Sequence, residues 1–337
     1  MKKFWKCFAI GVAALALVLI AAITFTIGWR PFLGARARPL TDRKFEATPE
    51  RLARGCYLAN AVSGCTFCHS RHDWKAAGAP IGEGTLGAGQ IFPLDGLPGT
   101  IVASNLTPDP ATGAGTWTDD QLARSIREGI GHDGRTLFPL MPYEHFREMS
   151  DEDLASVVVY LRSLQSVPNV LPKTEIIFPV KYLIRNAPQP VTAPVPTIDF
   201  TSPVERGKYL VRISGCSDCH TPQHQGQPNP ALSFAGGFEL KGPFGNVTSA
   251  NITPDPSGIS YYDENLFMQA MRTGKVGART LNPIMPWIVW RNMTDQDLKA
   301  MFAYLHTLPP VHHRVDNTLS ATFCKICQAK HGGGGQN

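Results

Sequence analysis

The sequence predicts an all-α protein, built as two copies of one small helical unit behind an N-terminal apolar helix. Three observations predict it. An uncharged stretch runs from Cys7 to Trp29. A set of short motifs occurs twice in the same order, about 150 residues apart. Both copies carry capped, amphipathic helix patterns rather than the alternation of strands.

The first element follows Lys2, Lys3 and Lys6 and closes on Arg30. As a helix it is long enough to cross roughly 30 Å of hydrocarbon. The apolar core of a cleaved export signal is usually only about 7–15 residues. Ala35-Arg36-Ala37 looks like a cleavage site but lies well beyond the apolar run, so residues 1–30 are expected to remain as a membrane anchor. Basic residues follow as well as precede it (Arg36, Arg38, Arg43 and Lys44), so charge counting alone does not orient it. Cys7 has no lipobox before it. The 337-residue chain as a whole is 43% hydrophobic and 18% charged, enough for a packed core. The net charge of +5 comes without a basic stripe, and no nucleic-acid partner is expected.

The repeat fixes the domain plan. Gly55-Cys56-Tyr57-Leu58 recurs as Gly207-Lys208-Tyr209-Leu210, and Asn105-Leu106-Thr107-Pro108-Asp109-Pro110 as Asn251-Ile252-Thr253-Pro254-Asp255-Pro256. Met141-Pro142-Tyr143 recurs as Met285-Pro286-Trp287. A period this long is a duplicated domain, not a solenoid unit. The expected domains are 45–167 and 201–310, joined by a proline-rich linker over 168–200 whose apolar middle, 180–184, should pack on something. The tail over 311–337, with glycine at 332–335, is expected to be loose. In the first domain Thr48 caps a helix with Pro49 at its first position, and Thr118 with Gln121 forms a capping box ended by Gly129. Ser150 opens a last helix with apolar Leu154, Val157, Val158, Leu161 and Leu164 on one face. The second domain repeats this, with Asp263 as cap, Gly274 as stop and Thr294 opening the last helix. Such loop-rich helical domains hold little core of their own and call for a filler.

Two motifs supply it. Cys65-Thr66-Phe67-Cys68-His69 and Cys216-Ser217-Asp218-Cys219-His220 both fit the C-x-x-C-H pattern of covalent haem attachment. Two thiols three positions apart on a helical turn reach the two vinyl groups of one porphyrin, and the adjacent histidine is carried under the ring to ligate iron. The pairs are too far apart for a zinc ribbon, and neither lies in the βαβ setting of a thioredoxin-type pair. A thioether completes the coordination of an iron that shuttles electrons. Met149 and Met293 stand just before helix caps, where they pack on Leu154 and Leu298. Met141 and Met285 sit between prolines that stiffen the loop, and these two are assigned as the distal ligands. His72, His132, His145 and His224 each occur in one copy only and are read as local or surface residues. Gly82, Gly84 and Gly87 match a dinucleotide pattern without its strand and helix and are read as a loop. The Asn-x-Thr triplets headed by Asn105, Asn246, Asn251 and Asn292 carry no glycosylation meaning in a bacterial setting. Cys56 is read as a small buried thiol. Cys324-Lys325-Ile326-Cys327 lacks the following histidine, so a tail disulfide is expected, with a small metal site including His331 as the alternative.

Taken together, the two attachment motifs, the Asn-x-Thr-Pro-Asp segments, the Met-Pro-aromatic loops and the Ser/Thr-Asp-x-Asp-Leu helix starts resemble the cytochrome c subunits of periplasmic alcohol, gluconate and related dehydrogenases. Gly113-Ala114-Gly115-Thr116-Trp117 and His132-Asp133-Gly134-Arg135 extend the likeness in the first copy. The resemblance covers about 50–167 and 203–311. It implies tandem class I cytochrome c domains with two haem c groups. Cys65, Cys68, Cys216 and Cys219 would attach them; His69 and His220 would be the proximal ligands and Met141 and Met285 the distal ones. It further implies an electron carrier without catalytic residues. The donor would be a periplasmic dehydrogenase's catalytic subunit, and the acceptor the quinone pool, a cytochrome or a terminal oxidase. Well-known members carry three haems, whereas this chain has two motifs. The rival readings are a dihaem peroxidase, which needs one iron open to peroxide, and a dihaem subunit of a terminal oxidase. Haem attachment outside the cytoplasm would place both domains in the periplasm, on a single-pass anchor in the bacterial inner membrane.

Overall fold

The computed structural model describes residues 1–224, 226–320 and 322–332. The chain is helix-rich. Helix α1 (Lys2–Phe25) is 24 residues long, about 36 Å, with a mean hydropathy of 2.7 over its most apolar window and no buried residue. A short helix, α2 (Arg30–Leu33), follows it. The first half of the remaining chain holds α3 (Pro49–Tyr57), α4 (Cys65–Cys68), α5 (Asp119–Glu128), α6 (Tyr143–Phe146) and α7 (Asp151–Ser163). Past the linker helix α8 (Val180–Leu183), the same series returns. It runs as α9 (Pro203–Ile213), α10 (Cys216–His220), α11 (Glu264–Thr273), α12 (Trp287–Trp290) and α13 (Asp295–Leu305). Twelve strands of two to four residues, in six antiparallel pairs among the described residues, tie the loops together. The all-α expectation did not include them, because pairs this short leave no alternating pattern to read.

The predicted caps are all in place. The side chains of Thr48, Ser150, Asp263 and Thr294 each accept an N–H from the first turn of their helices, and Thr118 with Gln121 forms the reciprocal box. Leu154, Val157, Val158, Leu161 and Leu164 all face the core. Helix α3 crosses α7 where Gly55 meets the backbone of Ser156; a Cβ at Gly55 would stand 1.9 Å from the Ser156 carbonyl oxygen. Gly207 meets Ala300 on the α9–α13 crossing at the same 1.9 Å. No side chain fits either place, so these glycines let the first and last helices of each half touch backbone to backbone. Because Gly55 faces α7, its neighbour Cys56 is turned outward and is exposed, not buried as expected.

The two halves interlock reciprocally. Tyr57 donates its hydroxyl hydrogen bond to Asp297 of the second half and receives the Thr294 N–H at 3.1 Å. Tyr209 donates to Asp153 of the first half at 2.7 Å and receives the Ser150 N–H at 3.2 Å. Each carboxylate is also held within its own half, Asp153 by Arg54 and Asp297 by Arg206. Buried residues of both halves form one continuous cluster. Helix α8 and the turn after it lie on α2, with Arg185 donating to the Pro31 carbonyl at 2.9 Å and Asn186 to the Ile27 carbonyl at 3.0 Å.

The tail departs from expectation up to residue 332. His313 is fully buried, Asn317 donates to the Thr248 carbonyl at 2.9 Å, and Thr322–Phe323 pairs with Lys330–His331. Polar side chains, not an apolar face, bring it in, so hydrophobic patterning does not reveal it. The glycines at 333–335, expected to be loose, lie outside the described residues.

Burial, with the Asp297 hydrogen bond adding to it, pushes the Tyr57 phenol up to about 12 from 10.0. Tyr57 therefore stays protonated in the folded chain where the unfolded chain already ionises. Its contribution is complete below pH 10 and is lost as pH rises from 10 to about 12. Urea denaturation across that window should show a shallower loss of stability in Tyr57→Phe than in the wild type. At pH 7 the same variant should lose about 1.5–3 kcal/mol, the usual worth of a hydrogen bond to a charged group.

Candidate functional site

Each attachment motif begins at a left-handed glycine, Gly64 (φ +62) or Gly215 (φ +68), which turns the chain sharply into the one-turn helix carrying both cysteines. In the first half a π-helical turn, Leu58–Val62, bridges α3 to this point. The histidine that ends each motif is buried, and its Nδ1 lies 2.7 Å from a backbone carbonyl: Ser104 for His69, Ala250 for His220. A carbonyl only accepts, so Nδ1 carries the proton and Nε2 keeps its lone pair. Among the described residues Nε2 makes no hydrogen bond in either ring. Burial pulls both imidazoles below their ordinary value, against a smaller opposing pull from that carbonyl, and the neutral form that ligates metals is favoured.

The carbonyl that holds each imidazole is itself braced, and the brace is the Asn-x-Thr-Pro-Asp segment. Asn105 follows Ser104 directly. Its amide donates to the Val167 carbonyl at 2.8 Å, and its side-chain oxygen accepts from Thr107 N at 3.0 Å and Thr107 Oγ1 at 2.7 Å. Asn251 follows Ala250 and repeats this with Val311 and Thr253 at 2.8, 2.9 and 2.8 Å. Asp109 and Asp255 then accept from the backbone N–H groups of Thr112 and Ser257. Asn105 and Asn251 are thus positioning residues for these carbonyls that the motif reading passed over. Their recurrence in both halves was the available signal.

Facing the histidine in the first half is a cavity of about 850 Å³. Cys65, Cys68, His69 and Met141 all line it, with Leu106, Leu122, Ile126, Phe146 and Leu161 as its apolar wall. Phe32 and Leu33 of α2 and Lys181, Tyr182 and Arg185 in and after α8 stand around it. Its size falls in the range of cofactor pockets, roughly 300–1,000 Å³. Burial pushes the thiols of Cys65, Cys216 and Cys219 up to about 12 and that of Cys68 up to about 11. Thiolates are disfavoured at all four positions, whereas thioethers, being neutral, carry no such penalty. A neutral imidazole, a thioether-presenting methionine, two neutral sulfurs and an apolar wall fit covalent haem.

The methionine loops are built alike. Pro142 (φ −81, ψ 47) and Pro286 (φ −79, ψ 50) share one conformation, and each opens a one-turn helix. The aromatic residue after the proline lies over the glycine that ends the preceding helix. A Cβ at Gly129 would stand 2.6 Å from the Tyr143 ring, and one at Gly274 would stand 2.3 Å from the Trp287 ring. Both glycines also have φ near +70. Met149 and Met293 are buried in the core beside Leu154 and Leu298, as their position before the caps predicts.

The rival histidines are otherwise engaged. His72 turns both ring nitrogens to carbonyls, of Ala79 and Phe67, at 2.6 Å each. His132 stacks on Trp117 at 4.1 Å along the cavity wall. His224 is exposed. His145, expected to be local or on the surface, is buried and hydrogen-bonded to Asp218, inside the second attachment motif. In return Trp290 of the second half donates to the carbonyl of Val62, just before the first motif, at 3.1 Å. Each methionine-loop helix therefore bonds to the other half's attachment motif or to the turn just before it. The segment 82–87 is a loop, with only an isolated bridge at Ile81 before it and the short strand Gln90–Ile91, not a helix, after it.

Residues 204–309 match the family model for cytochrome c, so this stretch is a cytochrome c domain. The chain as a whole is similar to cytochrome subunits of dehydrogenases. It is 31% identical to the fructose dehydrogenase cytochrome subunit of Gluconobacter japonicus over 81% of its length. It is 29% identical to the cytochrome c subunit of the quinone alcohol dehydrogenase of Gluconacetobacter polyoxogenes over 79%. It spans only 56% and 58% of the lengths of those relatives. A diheme cytochrome c-type protein of Cereibacter sphaeroides is 28% identical over 89% of this chain and 98% of its own length.

The aromatic-on-glycine contact is testable. Gly274→Ala must displace the Trp287 indole and should lose about 1–3 kcal/mol, as overpacked sites do, on top of the left-handed strain. Gly277→Ala, at φ +60 with open space around it, meets only the strain and should lose about 1 kcal/mol. Thermal denaturation of the two variants side by side reads the difference.

Proposed function

We propose that this chain is a dihaem c-type cytochrome that carries electrons from a periplasmic dehydrogenase to the respiratory chain, and that it is not itself a catalyst. On this reading its domains are 45–167 and 201–310, two tandem class I cytochrome c units. The single observation that carries the proposal is the convergence of Cys65, Cys68, His69 and Met141 on one apolar cavity, with Cys216, Cys219, His220 and Met285 presented by the same local conformations in the second half. Haem supplies the one-electron iron couple. The chain's residues do the rest. The four cysteines fasten the ring edge. His69 and His220 present Nε2 from a fixed tautomer, and Met141 and Met285 offer their sulfurs from stiff loops. His145 of the first half bonds to Asp218 in the second attachment motif, and Trp290 of the second half bonds to Val62 beside the first, which ties the two sites together and favours transfer between them. A site closed by His and Met binds no substrate.

Helix α1 would hold the chain in the bacterial inner membrane as a single-pass anchor, with both haem domains in the periplasm. The donor would be the catalytic subunit of a dehydrogenase, since dehydrogenase cytochrome subunits are among the chain's relatives. The acceptor would be the quinone pool, a cytochrome or a terminal oxidase. No nucleic-acid partner is proposed.

A spectroelectrochemical titration of the purified holoprotein tests the ligand assignment. The wild type should show two high-potential haems and the Met-sulfur-to-iron charge-transfer band. Met285→Ala should remove about half of that band and lower the potential of one haem, because Met/His ligation raises it. Met293→Ala should lower Tm but leave band and potentials in place. Loss of the band in Met293→Ala, or an undiminished band in Met285→Ala, would overturn the assignment.

A further inference from the structure

The tail brings a second set of metal-type donors together, outside the cavity and the two attachment motifs. Comparing the halves shows how it is grafted on. In the first half Asn169 donates its backbone N–H to Thr112 Oγ1 at 2.9 Å and its amide to the Ala88 carbonyl at 2.7 Å. His313 occupies the matching place in the second half. Its backbone N–H goes to Ser257 Oγ at 2.9 Å, and its Nδ1 stands 2.9 Å from the Ala235 carbonyl. Where the first half ends with a satisfied amide, the second half has an imidazole with Nδ1 committed as donor and Nε2 free as acceptor. His313 is fully buried, and its Nε2 lies 3.5 Å from Cys324 Sγ. His331 repeats the arrangement: Nδ1 is 3.4 Å from the Arg314 carbonyl, and Nε2 is 2.9 Å from Cys327 Sγ.

We propose that His313, Cys324, Cys327 and His331 form a structural zinc site. Their four ligand atoms lie within 4.8 Å of one another. A tetrahedral ion with bonds of about 2.0 Å to nitrogen and about 2.3 Å to sulfur needs ligand atoms roughly 3.3–3.8 Å apart. The observed set surrounds that range and closes on it with small side-chain shifts. Two thiolates and two imidazoles are a donor set that zinc prefers, and four protein ligands leave no open position, the mark of a structural rather than catalytic site. The outer shell is also built, because each histidine's Nδ1 faces a backbone carbonyl. Gly237 leaves the space required: a Cβ there would stand 2.6 Å from the His313 ring and 3.2 Å from His331 Nε2. The tail disulfide expected from the Cys-x-x-Cys spacing is not formed; both cysteines are free, each beside its own histidine.

The position gives the ion a purpose. Ala235 and Gly237 border the zinc ligands, and Gly236 between them donates its N–H to the His220 carbonyl at 2.7 Å. A metal clamp on this loop ties the tail to the backbone that carries the second attachment histidine. It does so whether or not the haem reading holds.

Full-length protein, purified in detergent without chelator, reduced and supplied with zinc sulfate, is desalted and its metals are counted. About one zinc per chain is expected, with two sulfurs and two nitrogens around it by zinc-edge X-ray absorption. Cys324→Ser with Cys327→Ser should lose that zinc and keep the iron content unchanged. Absence of zinc from the wild type, or zinc retained in the double variant, would overturn the site. If the double variant does not accumulate, the ligand set read by X-ray absorption on the wild type decides; a shell without two sulfurs overturns the site.

Discussion

The hydrogen bond from an imidazole Nδ1 to a backbone carbonyl is the interaction on which the rest of this structure depends. It appears twice, from His69 to Ser104 and from His220 to Ala250, at 2.7 Å each time. It sets the tautomer and turns Nε2 away from the backbone, into the cavity in the first half. For that bond to hold, the carbonyl must not move, and the Asn-x-Thr-Pro-Asp segment holds it there through three side chains. For the histidine to arrive, α3 and α9 must lie close on α7 and α13, which Gly55 and Gly207 permit. The loops and helices of each half thus serve one donor atom.

Duplication then gives more than two copies of a site. The halves lean on each other through matching residues, Tyr57 and Tyr209 on the opposite helix starts, His145 on the second attachment motif and Trp290 on the turn before the first. On the proposed reading this ties the sites of the two redox groups to a shared core, through contacts that break together if the halves part. The core is continuous across the junction. The halves are therefore expected to unfold as one unit.

Much of this was legible in the sequence, and the misses have physical causes. The caps at Thr48, Thr118, Ser150, Asp263 and Thr294, and the packing role of Met149 and Met293, follow from local rules of helix ends. Local rules need no partner to be visible. Cys56 was misplaced because its exposure depends on which face Gly55 turns to α7, a tertiary fact. His145 was undervalued because its partner, Asp218, belongs to the other half. The roles of Asn105 and Asn251 lie in bonds to Val167 and Val311, some sixty positions away in sequence, so only their recurrence marked them. The tail's order rests on polar convergence, and hydrophobic patterning has no signal for it.

The central claim is that both motifs carry a covalent group, each in its own half. Mass spectrometry of proteolytic peptides from the purified chain tests it most directly. The account predicts haem on both the Cys65–Cys68 peptide and the Cys216–His220 peptide, with Cys324 and Cys327 unmodified by haem. A free dithiol or a disulfide at either motif in fully matured protein would contradict it.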